Sequence, residues 1–528
     1  MIISADRKQR RELREDFLPV RIVKSEGMEN PEGLLIPRPA SVSFQTAGWT
    51  GFDGAGSYIV LDFGKELCGG IRMVIRGSNG PARWRLTFGE SLSEALSVIG
   101  EKNATNDHSP RDFEVITSSM SDVTFGQTGF RFVRVELLSS SQSVLQSIFA
   151  VSYLPLFERE AKIVTNDELL NDIIKTAIYT LKLNFQNGYI WDGIKRDRLV
   201  WCGDLHPEII SSLYMFGDNE NITNSLTFLK GTASPQQWIN TIPTYSAWWV
   251  INLCDYCTFI GNWKYFHENR DYALQVIDHF DSCITEEGEV VLTDGYGLEY
   301  FLDWSTFEYE DAPVGVSSLI RIMAQKFAEI EENETCCRII DKLAGYTSAN
   351  TTMKPVRAFQ ILAGRDCSEE DVKMLESEGA RGFSTFMAYY ILTAMAKSGG
   401  KDMLKILKSY YGGMLSKGAT SFWEDFDIDW LENSSRIDEL PKEGQKDIHG
   451  DFGKHCYQQF RHSLCHGWSA GVLAFIVEYI LGVSIKEGGK EINVNPNLLG
   501  LTDIEAELPI KDRMVKISIH GNDIQIES

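Results

Sequence analysis

Fourteen consecutive residues, Trp191 to Asp204, hold three carboxylates, two arginines, a lysine and two tryptophans. So dense a polar cluster is rarely core. If the part from Asp197 onward is helical, Asp197, Trp201 and Asp204 fall at i, i+4 and i+7 on one face, with Asp192 reaching in from the preceding loop. Carboxylates beside an indole suit a sugar ring, because carboxylates accept hydroxyl hydrogen bonds and exchange protons while an aromatic face covers C–H surface. The same residues also fit a solvated charged turn whose tryptophans anchor a core.

Two further stretches carry chemistry. Gly418-Ala419-Thr420-Ser421-Phe422-Trp423-Glu424-Asp425-Phe426-Asp427 again sets carboxylates against aromatics after a glycine, and Arg461-His462-Ser463-Leu464-Cys465-His466-Gly467-Trp468 precedes the last helical segment. Cys254 and Cys257 have zinc-like spacing, but no second pair exists and their surroundings read as helix. His455, Cys456, His462, Cys465 and His466 match no ligand spacing, so neither a metal nor a cofactor is expected. No glycine-rich phosphate loop follows a strand, and no Ser-His-Asp order stands out.

The whole chain narrows these readings. Its 528 residues predict two to four domains, and its formal charge of -23 repels phosphate backbones and anionic lipid, so nucleic acid and membrane partners are not expected. The N-terminus carries Arg7, Lys8, Arg10, Arg11 and Arg14 without a following apolar run, which predicts neither a signal peptide nor a membrane span. Ten cysteines without framework spacing read as buried or free thiols in a reducing compartment, placing the protein in the cytoplasm.

The elements that must position the candidates come in three blocks. Strand-like segments at Tyr58–Phe63, Ile71–Ile75, Trp84–Phe88 and Phe130–Leu137 predict a β-sandwich, with one face of the last strand buried and the other wet, and Ser91–Ser109 as loop. Near Ala161 the period changes to 3.6: Thr165-Asn166-Asp167-Glu168 resembles a capping box, and Leu170, Ile173, Ile174, Ala177 and Leu181 follow on one face. Amphipathic segments at 244–260, 311–330, 386–397 and 468–482 continue as helical hairpins, which fits a solenoid or a closed α/α toroid. Strands return at 491–494, 504–508, 514–519 and 523–526.

In these three ordered motifs the sequence resembles glycoside hydrolase family 78, the α-L-rhamnosidases. Asp192, Arg196, Asp197, Trp201 and Gly203-Asp204 match its first motif, Gly418 to Glu424 its Gly-Ala-Thr-x-x-Trp-Glu motif, and Ser463 to His466 its Ser-x-x-His motif. Leu61-Asp62-Phe63-Gly64 and Gly129-Phe130-Arg131-Phe132 also look like its β-sandwich. The resemblance implies a multidomain chain: a jelly-roll-like β-sandwich over 1–158, an all-α (α/α)6 barrel over 159–482 and a small β-sheet domain over 483–528.

It further implies inverting hydrolysis of terminal α-L-rhamnosides, with Asp197 as general acid and Glu424 as general base. The implied sugar-binding set is Asp192, Arg196, Trp201, Asp204, Trp249, Trp304, Trp423 and His466; Trp249 and Trp304 are chosen because a 6-deoxy sugar needs an apolar wall at its methyl group. The partner is then a rhamnose-containing glycoside or oligosaccharide, and a homodimer is allowed. Arg196 and Arg198 are expected to turn toward structural or substrate partners, leaving like-charged carboxylates and burial to keep the acid protonated. Many family members have glutamate where this chain has Asp197. That departure leaves open a catalytically weak carbohydrate-binding relative, or a glycosidase for another deoxy or neutral sugar.

Overall fold

Apolar runs at Tyr58–Leu61 and Met73–Ile75, joined through Gly69-Gly70, lie in a single 21-residue strand, Tyr58–Ser78, in the computed structural model, which describes residues 12–37, 50–52, 56–139 and 142–527. The basic N-terminal stretch therefore lies, as far as residue 11, outside the described residues. Sequence reading expected separate strands at 58–63 and 71–75. They are one strand because its pairing with Ser121–Leu137 breaks register twice, between Asp62 and Leu67 and between Gly69 and Ile71, without ending. Its first half also pairs with Arg21–Glu26, and its second half with Ser143–Pro155. This change of neighbour bends a nine-stranded sheet around its own core, where Phe130 packs edge-on against Phe63 and Phe88.

The expected wet face of 130–137 is in fact covered near its start. Arg131 is buried, gripping Asp62 at 2.8 Å and donating to the Gly418 carbonyl at 3.2 Å, because the helical part lies against it. The expected loop at 91–109 opens with a one-turn helix, Leu92–Leu96, capped by the Ser91 hydroxyl.

The helices alternate between two kinds of surface. Leu205–Phe216 is buried along its entire length, and Pro243–Ile260, Ala312–Ala328, Lys354–Leu362 and Met387–Lys397 are mostly buried. The intervening Glu220–Lys230, Trp263–Ser282, Glu334–Lys342 and Glu369–Glu376 bury one stripe each. The buried helices pack each on the next, and Val472–Phe475 closes the ring by touching both Met387–Lys397 and Leu205–Phe216. One apolar kind of helix thus lines a centre and the amphipathic kind forms its outer wall. The helix that opens this part, Glu168–Asn184, is capped by the Asp167 carboxylate rather than Thr165, since Lys162–Thr165 is occupied as a strand.

That strand pairs with Asp503–Ile510 and so joins the C-terminal sheet with Arg513–His520 and Asp523–Glu527. Ile504, Leu508, Val515, Ile517 and Ile519 belong to the same core as the helices, whereas the N-terminal sheet has a core of its own. None of the helices among the described residues is long and apolar enough to cross a membrane.

Polar contacts fasten the first sheet to the motif-bearing loops. Lys195, buried, pairs with Glu90 and Glu94 at 2.9 and 3.2 Å and donates to the Phe460 and His462 carbonyls at 3.0 and 2.5 Å. Glu90 in turn accepts from the Leu464 N–H and the Ser463 hydroxyl, and the Glu66 N–H donates to Thr420. Glu90, Glu94 and His449 come close enough to resemble a cation site, and the Lys195 ammonium supplies the counter-charge there. Removing one partner of a buried ion pair strands the other, so Lys195→Met is expected to lower the unfolding free energy by about 3–5 kcal/mol in urea titrations. Adding Glu90→Gln and Glu94→Gln to that variant should recover part of the loss.

Candidate active site

Residues 192–204 form no helix, so the carboxylates do not meet by helical spacing. They meet because the loop closes on Asp192. Its buried carboxylate accepts the Asp197 N–H at 3.2 Å and the Leu199 N–H at 2.9 Å, and Arg198, at φ 62°, makes the left-handed turn between them. The Trp201 indole then donates back to Asp197 at 3.1 Å. Asp204 ends the loop at the start of Leu205–Phe216, buried, accepting from the Tyr245 hydroxyl at 3.2 Å.

Main-chain bonds draw the three motifs together: the Gly467 N–H donates to the Asp192 carbonyl, His466 to Phe422, and Glu424 to Ser463. Gly467 is required in this approach, because a Cβ there would collide with the Glu208 carboxylate. Glu424 is held at every polar atom. Its side chain takes Arg196 at 2.7 Å and the Ser463 N–H at 2.8 Å, while its carbonyl takes Thr385 and the Trp468 indole.

Arg198 turns away as expected, donating to the Gln127 carbonyl and lying over the Trp191 ring. Arg196 does not. It joins Glu424 at 2.7 Å to Asp197 at 3.7 Å, and its guanidinium lies over the Tyr457 ring at 5.4 Å. His466 stands among Glu424, Asp192 and Asp204, with Nε2 3.7, 3.7 and 3.8 Å from them. Burial lowers its pKa to about 4 and raises that of Asp192 to about 8, with the Asp197 charge adding to the latter. Burial also raises Glu424, against Arg196 and His466, and lifts Asp204 well above the usual carboxylate range.

A cavity of about 320 Å3 opens beside this cluster, lined by Glu424, Asp425, Asp427, Asp303, Trp304, Phe383, His455, Tyr457 and Trp468 among others. Of the residues expected from sequence, Glu424 and Trp304 line it, while Asp192, Arg196, Asp197, Trp201, Asp204 and His466 surround Glu424 or the loop behind it. Trp249 and Trp423 are not in the wall. Trp249 points outward from the ring of buried helices, packing on Tyr272 and donating to the Leu226 carbonyl, and Trp423 packs edge-on against Phe426 in the core.

Residues 158–275 match the model of the bacterial α-L-rhamnosidase 6 hairpin glycosidase domain. The family 78 rhamnosidase of Bacillus sp. GL1 superposes with a TM-score of 0.71 at 18% identity, over 94% of this chain and 54% of that one. The rhamnosidase from Klebsiella oxytoca with rhamnose bound gives 0.69 at 19%, over 88% of this chain and 95% of that one. The Streptomyces avermitilis α-L-rhamnosidase complexed with L-rhamnose gives 0.65 at 14%, over 88% and 46%. The chain has the α-L-rhamnosidase fold. It spans about half the length of the Bacillus protein and nearly all of the Klebsiella one. No curated protein matches it in sequence.

Within this rhamnosidase fold, three groups escaped the sequence reading. His108, from the connection after Leu92–Leu96 of the first sheet, places Nδ1 3.0 Å from the Asp197 carboxylate and 3.2 Å from its carbonyl; a carbonyl only accepts, so Nδ1 carries the hydrogen. Asp303 accepts from Ser384 and Ser305 at the cavity wall, and burial with Asp303 and Glu424 lifts Asp425 to about 7. His108 sits in a polar, loop-like stretch with no periodic signal, and Asp425 was masked by Glu424 beside it.

Raised carboxyls have a consequence for stability. Asp192 at about 8 and Glu90, Asp425 and Glu478 at about 7 hold protons more tightly folded than unfolded, so the stability they contribute is lost as pH rises through those values. Burial lowers the pKa of His206, His449, His462 and His466; such groups oppose this only below the ordinary histidine value and are silent above about pH 7. The urea midpoint is therefore expected to fall between about pH 7 and about pH 9, and to fall less in Asp192→Asn, as equilibrium unfolding at each pH will show.

Proposed function

We propose that the chain is an inverting exo-glycosidase that removes terminal α-L-rhamnosyl residues, with Asp197 as general acid and Glu424 as general base. The carrying observation is Arg196, which joins carboxylates from two distant motifs beside an aromatic-walled cavity. In this reading residues 159–482 are a closed (α/α)6 barrel, between a β-sandwich over 1–158 and a β-sheet domain over 483–528. The cysteines, which carry no framework spacing, support a reducing, cytoplasmic setting.

Inversion requires an acid on the leaving oxygen and a base on water at the opposite ring face, with carboxyls about 6.5–9.5 Å apart. Glu424, held by Arg196 and the Ser463 N–H, takes a proton from water as the water oxygen attacks the anomeric carbon. The glycosidic C–O bond breaks and Asp197 gives its proton to the departing oxygen. Asp192, whose oxygens accept two loop N–H groups, holds the acid's main chain. Relatives of this fold described with rhamnose bound support the choice of sugar.

Asp197→Asn and Glu424→Gln are each expected to lower α-L-rhamnoside hydrolysis by at least about 10²-fold, the low end for general acid–base catalysis. Wild-type rates in a folded Asp197→Asn variant, with activity lost in Asp425→Asn, would transfer the proton donor's role to Asp425.

Specificity rests on the cavity's apolar side. Trp304, Phe383, Tyr457 and Trp468 offer a methyl group contact without a hydrogen-bond partner on their carbon faces. An unpaired buried hydroxyl costs about 1–3 kcal/mol, so α-L-rhamnoside should be preferred over α-L-mannoside by roughly 5- to 150-fold in kcat/KM. Trp304→Ala should shrink that ratio as water reaches the extra hydroxyl. Equal turnover of the two sugars by the wild type would remove the apolar wall from the account.

A further inference from the structure

A second cavity, of about 460 Å3, lies in the helical part and shares no lining residue with the one at Glu424. Its size falls within the about 300–1,000 Å3 of ligand sites. Helices 205–216, 243–260, 312–328, 354–362 and 387–397 all contribute to its wall, as does the hairpin strand Val483–Lys486. Trp248, Phe386 and Trp468, in edge and tilted contact, stand between the two cavities.

The chemistry of this wall is that of a sugar site, aromatic surface beside two carboxylates, Asp255 and Glu478, and two ammonium groups, Lys326 and Lys397. Trp248, Phe359, Tyr389 and Tyr390 supply aromatic surface. Asp255 is neutralised by Lys326 at 2.6 Å and bonded to His206 at 3.3 Å, and burial holds that histidine neutral. Glu478 accepts from the Tyr214 and Tyr389 hydroxyls. Two further groups of the wall, the Trp248 indole N–H and the Thr393 hydroxyl, are buried at 2% and 4% exposure and have no partner in the protein. Buried polar groups are seldom left unpaired, and neither group takes part in the proposed hydrolysis.

We propose that this cavity binds a neutral sugar of monosaccharide size, its C–H face on the aromatic rings and its hydroxyls meeting Trp248, Thr393 and the Asp255–Lys326 pair. The inference does not depend on the catalytic reading. Thr258, exposed at the cavity's edge, is the place to block entry.

The test is calorimetric titration of the full chain with L-rhamnose, D-mannose and D-glucose, and with a methyl β-glycoside of each to separate a free sugar from the end of a glycan, together with crystals soaked in the same sugars. At least one sugar should occupy the cavity, and its binding should vanish in Thr258→Trp while α-L-rhamnoside hydrolysis stays at the wild-type rate. Thr393→Val, which keeps the side chain's shape, should weaken it roughly 2- to 10-fold, the range of one hydrogen bond. An isotherm unchanged in both variants, ordered water alone in the cavity, or density at crystal concentration with no solution isotherm would each overturn the proposal. A chain without rhamnosidase activity would still lose this bound sugar in Thr258→Trp, so the two readings fail separately.

Discussion

The Lys195 ammonium can be buried only because oxygens from separate stretches of chain surround it. Glu90 and Glu94 come from the first sheet and the helix following it, and the Phe460 and His462 carbonyls from the loop before the last helical segment. Burial works against the charge, and the two glutamates outweigh it, raising the lysine's pKa. A desolvated ion tolerates no loosening of its partners, so this contact fixes the sheet, the 192–204 loop and the 460–466 loop in one arrangement. The next residue, Arg196, serves the site from the same backbone. It carries its guanidinium to Glu424, so anchor and site share one short piece of chain.

Burial also governs the charge at the site. His466 is pushed down to about 4 and is neutral at pH 7, Asp192 is lifted to about 8, and Asp204 is driven toward its neutral form. The cation of the buried cluster, Arg196, lies 2.7 Å from Glu424. A neutral sugar brings no counter-charge with it, and a cluster of three bare carboxylates would have needed one. Arg196 thus has two effects: it works against the burial that raises Glu424, and it sets a positive charge against that carboxylate where the proposed sugar ring would be desolvated.

Much of this was legible in the residues, because motif strings of unusual polarity in an otherwise apolar helical block mark where loops converge. The change of period near Ala161 located the start of the helices, and the 244–260 and 386–397 segments match observed helices within a residue. The errors have physical causes. Helical spacing at Asp197, Trp201 and Asp204 was a coincidence, since Arg198 at φ 62° turns left-handed between the two N–H groups that Asp192 accepts and no helix forms there. Trp248 and Trp249 differ by one residue, about 100° around a helix, and that step alone decides which faces the centre and which faces the outer wall. His108 was invisible because nothing in a polar connection announces which distant loop it will reach.

His108 also bears on the short side chain at position 197. A glutamate there could reach a substrate from a less constrained backbone, whereas an aspartate depends on where its main chain is set. Here the main chain of Asp197 is fixed by its own N–H on Asp192 and its carbonyl on His108, and the carboxylate by Trp201 and His108. Those partners come from its own loop and from the first sheet, and that sheet is itself held to the loop through Lys195. The lost methylene is therefore offset by backbone placement rather than by side-chain reach. In this chain the N-terminal sheet is part of what positions the proposed acid, and not only a neighbour of the helices that hold the proposed base.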